Sequence, residues 1–139
     1  HESGLLGMTG NADMRQVLEA ADAGQRDAQT ALDVATYRLA KYIGGYHVAV
    51  DGAQAITFTA GIGENSAPFR ARVLDRLGVL GVKYDEALNA ARTDEPRLIS
   101  PEDSSIAIAV VPTDEEMAIA HETFHLVEQT NAWGQGASA

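Results

Sequence analysis

Apolar residues recur along this chain with a helical period over most of its length and run together in strand-like blocks at two places. From Asn11 the positions Met14, Val17, Leu18 and Ala21 fall every three or four residues, Asn11 or Asp13 can cap them and Gly24 stops them, which predicts a short helix. The longest such pattern runs from Arg26 to Val50 through Ala28, Leu32, Ala35, Leu39, Tyr42 or Ile43, and Tyr46. Gly44-Gly45 weakens its centre, so the pair predicts close packing against a neighbour or a break. A further helix carries Phe69, Val73, Leu74 and Leu77, with Asn65 or Ser66 as its cap and Pro68 in its first turn. A weaker one begins at Asp85 and ends near Arg92, and a last one opens at Thr113 with Met117, Ala120, Phe124 and Val127 on one face.

The strand signals are Ala55 to Thr59 and Ile106 to Val111, with a minor one at Leu98-Ile99. The run IAIAVV is unbroken by polar residues, as expected of a strand covered on both faces by helices. Gly78 and Gly81 bracket a turn, Val82 to Tyr84 reads as a short extended piece, and Thr93 to Pro96 as a loop. The opening HESGLLGMTG reads as loop or short extended chain, and Ala132 to Ala139 as a fraying tail. Strands separated by helices predict an α/β sheet with parallel neighbours, whose ligands gather beyond the carboxyl ends of the strands.

Composition narrows the functions open to such a sheet. Ten Lys plus Arg against twenty Asp plus Glu give a net charge of −10, which disfavours nucleic acid and anionic membrane as partners. The absence of Cys excludes disulfides, thiolate metal ligands and thiol nucleophiles, and fits a cytoplasmic protein. No apolar run approaches the roughly 18 to 20 residues of a membrane-spanning helix. At 139 residues and 45% hydrophobic content the chain suits one domain with a real core.

Both main strands end in turns that can carry chemistry. After the first, Gly61-Ile62-Gly63-Glu64-Asn65 offers backbone N–H groups, close approach to the backbone and a side-chain amide, the makings of an anion or nucleotide site. The same residues also serve as a plain turn, with Asn65 as a cap; the pattern is neither a dinucleotide fingerprint nor a P-loop. After the second, Thr113 and Glu116 have capping-box spacing, which leaves Glu115 as a carboxylate free to hold a cation or simply to face solvent. Asp13-Met14-Arg15 can supply a ribose partner, a surface for a base and a phosphate-binding Arg, or simply a cap, a core Met and a solvated Arg. His47, His121 and His125 lack an HExxH pattern and do not make a metal site by spacing.

Taken together, SGLLGMTG, ADMRQVLEAA, YRLAKYIGGY, FTAGIGENS with its arginine-bearing helix, and VVPTDEEMAIAHET resemble the C-terminal part of acetate kinases, in the family's order from Glu2 to about Glu128. Relatives acting on propionate share the pattern. The resemblance implies an α/β, partial ribonuclease-H-like C-terminal domain of the actin, Hsp70 and sugar kinase superfamily, its sheet flanked by helices. On that footing residues 1–131 form the nucleotide-side portion and 132–139 a flexible tail. It also implies reversible transfer of the ATP γ-phosphoryl group to acetate, giving acetyl phosphate and ADP with Mg2+, in a cytoplasmic homodimer. Carried over by position, Asp13, Met14 and Arg15 become nucleotide contacts, Gly61, Ile62, Gly63, Glu64 and Asn65 the adenosine-side loop, and Glu115 the magnesium carboxylate. Met14 stands where relatives often have Phe or Leu, and Asp114 where Asn is common. The catalytic residues and the acetate or propionate pocket of such enzymes lie upstream of these motifs, so no catalytic residue is assigned to this chain. The alternative is a stand-alone α/β binding or interaction module without kinase activity.

Overall fold

The predicted helical periodicity translates into burial most faithfully in the first half of the chain. The structure, a computed structural model, describes residues 4–134, with the side chains of residues 115 and 129–134 outside the description. Helix α1 (Gly4–Thr9) is a correction to the loop expected there. Six residues are too few to show a period, and the turn is held by context: Thr9 Oγ1 donates to the Leu5 carbonyl at 2.8 Å, and the Gly10 N–H to Leu6 O at 2.8 Å. Helix α2 (Met14–Asp22) buries Val17 and Ala21, and its cap is Asp13, which accepts from the Arg15 N–H.

Helix α3 (Arg26–Ala49) buries Ala28, Ala31, Leu32 and Thr36. It passes through Gly44-Gly45 without interruption, and a Cβ at either position would meet nothing within 4 Å. Neither the break nor the close packing expected of that pair occurs. Further along the predicted stripe Leu39 and Ile43 are half-buried against the core, whereas Tyr42, Tyr46 and Val50 are exposed. In the turn after it Asp51 and Gly52 have positive φ, and the His47 Nδ1 accepts from the Ala53 N–H at 3.1 Å.

The sheet has three strands in the order β1 (Ala55–Phe58), β3 (Ala107–Val110), β2 (Arg97–Leu98). The predicted parallel pairing holds between β1 and β3, in register from Ala55 opposite Ala107 to Phe58 opposite Val110. The pairing of β2 with β3 is antiparallel. Coverage is less complete than the apolar runs implied. On β3 Ile108 and Val110 are buried while Ala107 and Ala109 are half-buried, and on the edge strand β1 only Phe58 is buried.

Helix α5 (Ala67–Leu74) follows, then a 3-10 stretch (Asp75–Leu80) and the short α6 (Glu86–Ala90), capped by Asp85. The expected stripe of Phe69, Val73, Leu74 and Leu77 is buried and joins Val17, Leu32, Ile99, Ile106 and Ile108 in one core. Helix α7 (Glu115–Gly134) extends past Ala132, where the sequence reading placed a tail, and residues 135–139 lie outside the described residues. The face of Met117, Ala120, Phe124 and Val127 was expected to pack; instead every described side chain from 116 to 128 is exposed.

Candidate functional site

Because β1 and β3 are parallel, their carboxyl ends lie on one edge of the sheet, and the two chemically rich turns start there. The segment expected to be a glycine loop is helix α4 (Ala60–Asn65). It begins with Ala60 in the left-handed region at φ 58°, which turns the chain sharply off β1. Gly63 then passes so close to the strand that a Cβ there would lie 3.3 Å from the Phe58 carbonyl carbon. Gly61 is different: a Cβ there would meet nothing within 4 Å. Asn65 is not the cap of α5. Its Nδ2 donates back to Gly61 O at 3.0 Å, and Ser66 caps instead, its Oγ accepting from the Phe69 N–H.

Helix α4 is braced from behind by a residue that the sequence reading did not single out. Arg70, only 1% exposed, donates through Nη1 to the carbonyls of Gly63 at 2.8 Å and Glu64 at 2.7 Å. Its Nε reaches Asn89 Oδ1 at 2.7 Å and its Nη2 the Asn89 carbonyl at 2.5 Å. Asn89 in turn donates to Ala67 O at 3.0 Å, so one buried pair ties α4, α5 and α6 together. These acceptors are all amide oxygens. Desolvation draws the Arg70 guanidinium below its usual range, with the positive charge of Arg97 acting in the same direction. The end of α4 compensates, since helix carbonyls there carry partial negative charge. A signal was present in the sequence: Arg70 stands three, four and seven residues before Val73, Leu74 and Leu77, on the same buried stripe.

The first turn of α2 faces α4 across a cleft of about 450 Å³. Six of the residues assigned from the sequence line it, Asp13, Met14, Arg15, Gly61, Ile62 and Asn65, together with Leu18 and Ser66. Two stretches some fifty residues apart in the chain thus form one site, of a size usual for small-molecule pockets. Met14, Leu18 and Ile62 are half-buried and supply its apolar part. At the rim Arg15 folds onto Asp13, with Nη2 to Oδ2 at 2.7 Å and Nε to Oδ1 at 3.2 Å. Those bonds hold the Asp13 carboxyl below its ordinary range and the Arg15 guanidinium above its own. A wider recess of about 810 Å³ lies between the α1–α2 turn and the start of α3, with Thr9, Asn11, Gln16 and Gln25 on its wall. It contains none of the assigned residues.

Two of the assigned residues on α4 do not line the cleft. Gly63 is buried against β1 and acts through the close approach just described. Glu64 points to the other turn: its Oε1 accepts from both the N–H and the hydroxyl of Thr113, each at 2.8 Å. That engagement also overturns the capping box predicted at Thr113. Asp114 is the cap of α7, its Oδ1 accepting from the Met117 N–H at 2.8 Å. Asp and Thr are both good caps, and the bonds to Glu64 decide between them. With Glu116 not returning a bond to Thr113, the inference that Glu115 is left free by elimination loses its basis, and the Glu115 side chain lies outside the described residues.

Comparison with known proteins is consistent along nearly the whole chain. The model of the Acetokinase family matches residues 1–121. The acetate kinase of Micrococcus luteus is 67% identical over 130 residues, covering 90% of this chain and 34% of that protein. That of Pseudarthrobacter chlorophenolicus is 65% identical over 122 residues, covering 88% and 32%. Among solved structures, the acetate kinase of Porphyromonas gingivalis superposes with a TM-score of 0.81 at 34% identity, over 91% of this chain and 32% of the other. A propionate kinase from Francisella tularensis gives 0.79 at 36% identity, over 87% and 30%. The chain spans about a third of the length of the relatives it matches.

Proposed function

This chain belongs to the acetokinase family, and on that premise we propose that the cleft between α2 and α4 is the adenosine side of an ATP/ADP site. The observation that carries the reading is the convergence of Asp13–Arg15 with Gly61, Ile62 and Asn65 on one cavity. Met14, Leu18 and Ile62 give a base an apolar surface. Asp13 can accept from ribose hydroxyls, Arg15 can leave Asp13 for a phosphate, and Gly61 lets the ligand lie against the backbone. In this reading the chain is the C-terminal, nucleotide-side portion of a cytoplasmic enzyme that moves the ATP γ-phosphoryl group reversibly to acetate. Propionate is the alternative acceptor. The groups that neutralise the transferred phosphoryl, and the acyl pocket, belong to the remaining two-thirds.

Magnesium is part of the same reading. Among the described residues no three His, Asp or Glu side chains converge as a metal site. Magnesium commonly takes one or two carboxylates and completes its shell with water and phosphate oxygens. Glu115, directly after the Asp114 cap, is the residue that would hold it, and the ion would offset charge on the phosphates. A homodimer is proposed as well, supported by the exposed Tyr42, Tyr46 and Val48 at the end of α3. The alternative, a stand-alone α/β binding or interaction module without kinase activity, is not favoured by the relatives.

Gly61→Ala tests the cleft. The protein has room for the added methyl and Ala is the better helix residue by about 1 kcal/mol, so thermal stability should hold or rise. ADP affinity measured by calorimetry should fall at least about tenfold, since only a ligand lying on the backbone would meet that methyl. Unchanged affinity would refute the assignment.

A further inference from the structure

Glu64 sits on the helix that walls the cleft but does not line it, and its partner is the residue that leads into α7. We infer that Glu64 is a positioning residue rather than a nucleotide contact, a latch that fixes the start of α7 against the cleft wall.

The parallel ladder ends where the Val111 N–H donates to Phe58 O at 2.9 Å. Pro112 has no N–H to continue it. The bonds of Asp114, its Oδ1 to the Met117 N–H and its carbonyl to the Ala118 N–H, are internal to α7. The described side chains of α7 from 116 to 128 are all in the exposed class, so none of them is a buried anchor. Between Val111 and the first turn of α7, the two bonds from Thr113 to Glu64 tie the start of the helix to the helix that walls the cleft. Both are charge-assisted, and both end on one oxygen, which fixes Thr113 by its backbone and its side chain at once. The same carboxylate lies by the start of a twenty-residue helix, where negative charge is favoured. Arg70 completes the chain of contacts, because it holds the carbonyl of Glu64 itself. The cleft wall, the latch and α7 are thereby one mechanical unit, and position 115 lies two residues beyond Thr113.

This inference rests on reading the cleft as a nucleotide site, and two measurements separate the two claims. The chain contains no cysteine, so cysteines introduced at the exposed positions Ile119 on α7 and Val79 on the body can carry a pair of spin labels. In the parent the distance distribution between them should be narrow. In Glu64→Ala it should broaden about twofold or more, and in Glu64→Gln, which keeps the accepting oxygen, it should return to the parent width. ADP titrated into the same variants should bind Glu64→Ala within about twofold of the parent, while Asn65→Ala loses about tenfold. A Glu64→Ala distribution as narrow as the parent's would overturn the latch. A loss of ADP affinity in Glu64→Ala equal to that in Asn65→Ala would make Glu64 a ligand contact and overturn the proposal too. If the parent binds no ADP, the nucleotide reading fails and the label distances alone decide the latch.

Discussion

Arg70 shows how much of this site depends on a residue that lies outside the cleft. It is buried among amide oxygens, so truncation leaves four acceptors unpaired in a dry place. Arg70→Met should destabilise the chain by about 3 kcal/mol in urea unfolding. Arg70→Lys should recover little of that, since an ammonium cannot span carbonyls on α4 and α6 as the planar fork does. Glu64 yields a prediction in pH. The hydroxyl and N–H of Thr113, aided by the Ala60 N–H and the Thr59 hydroxyl, hold its carboxyl below the ordinary range. A carboxylate whose folded pKa is depressed stabilises the fold above its unfolded pKa and loses that contribution as pH falls through the folded value. The Thr113 amide resonance should therefore stay constant through neutral pH and move only in the acid range, below where free glutamate titrates; movement near pH 7 would contradict the latch geometry.

At the scale of elements, the sequence was most legible where a segment was long and buried. The apolar positions of α2, the first half of α3 and α5 were readable because burial follows the period of a helix. Helix α4 was not readable: six residues with two glycines carry no periodic signal, and it forms because Ala60 turns the chain and Arg70 holds its far end. The end of α3 differs for the opposite reason, since Tyr46 and Val50 keep the period while standing exposed. Turn chemistry was read correctly at Gly81, which has φ 74° and where a Cβ would lie 2.3 Å from Ser105 Oγ and 2.9 Å from Ser105 Cβ. Gly81→Ala combines a strained backbone with that clash and should lower stability by about 2 to 4 kcal/mol. A cost under about 1 kcal/mol in chemical unfolding would mean that the 81–105 contact is looser than described.

For the molecule as a whole, the family and the two strand-end turns were legible because motif residues keep their order, whereas the partners of those turns were not. Nothing in the spacing of Glu64 and Thr113, 49 positions apart, announces their bond. The chain spans about a third of its relatives, and its cleft holds groups suited to the adenosine end of a nucleotide. Phosphoryl transfer requires charge neutralisation around the moving group, so the 139-residue chain alone should form no acetyl phosphate from ATP and acetate; turnover like that of a full-length relative would contradict that division of labour. The most direct test of the cleft itself is an amide NMR titration of this chain with ADP. The account predicts shifts confined to Asp13–Leu18 and Gly61–Ser66, with Thr113 following through Glu64. Shifts centred on the recess beside Asn11 and Gln25, or none at all, would contradict it.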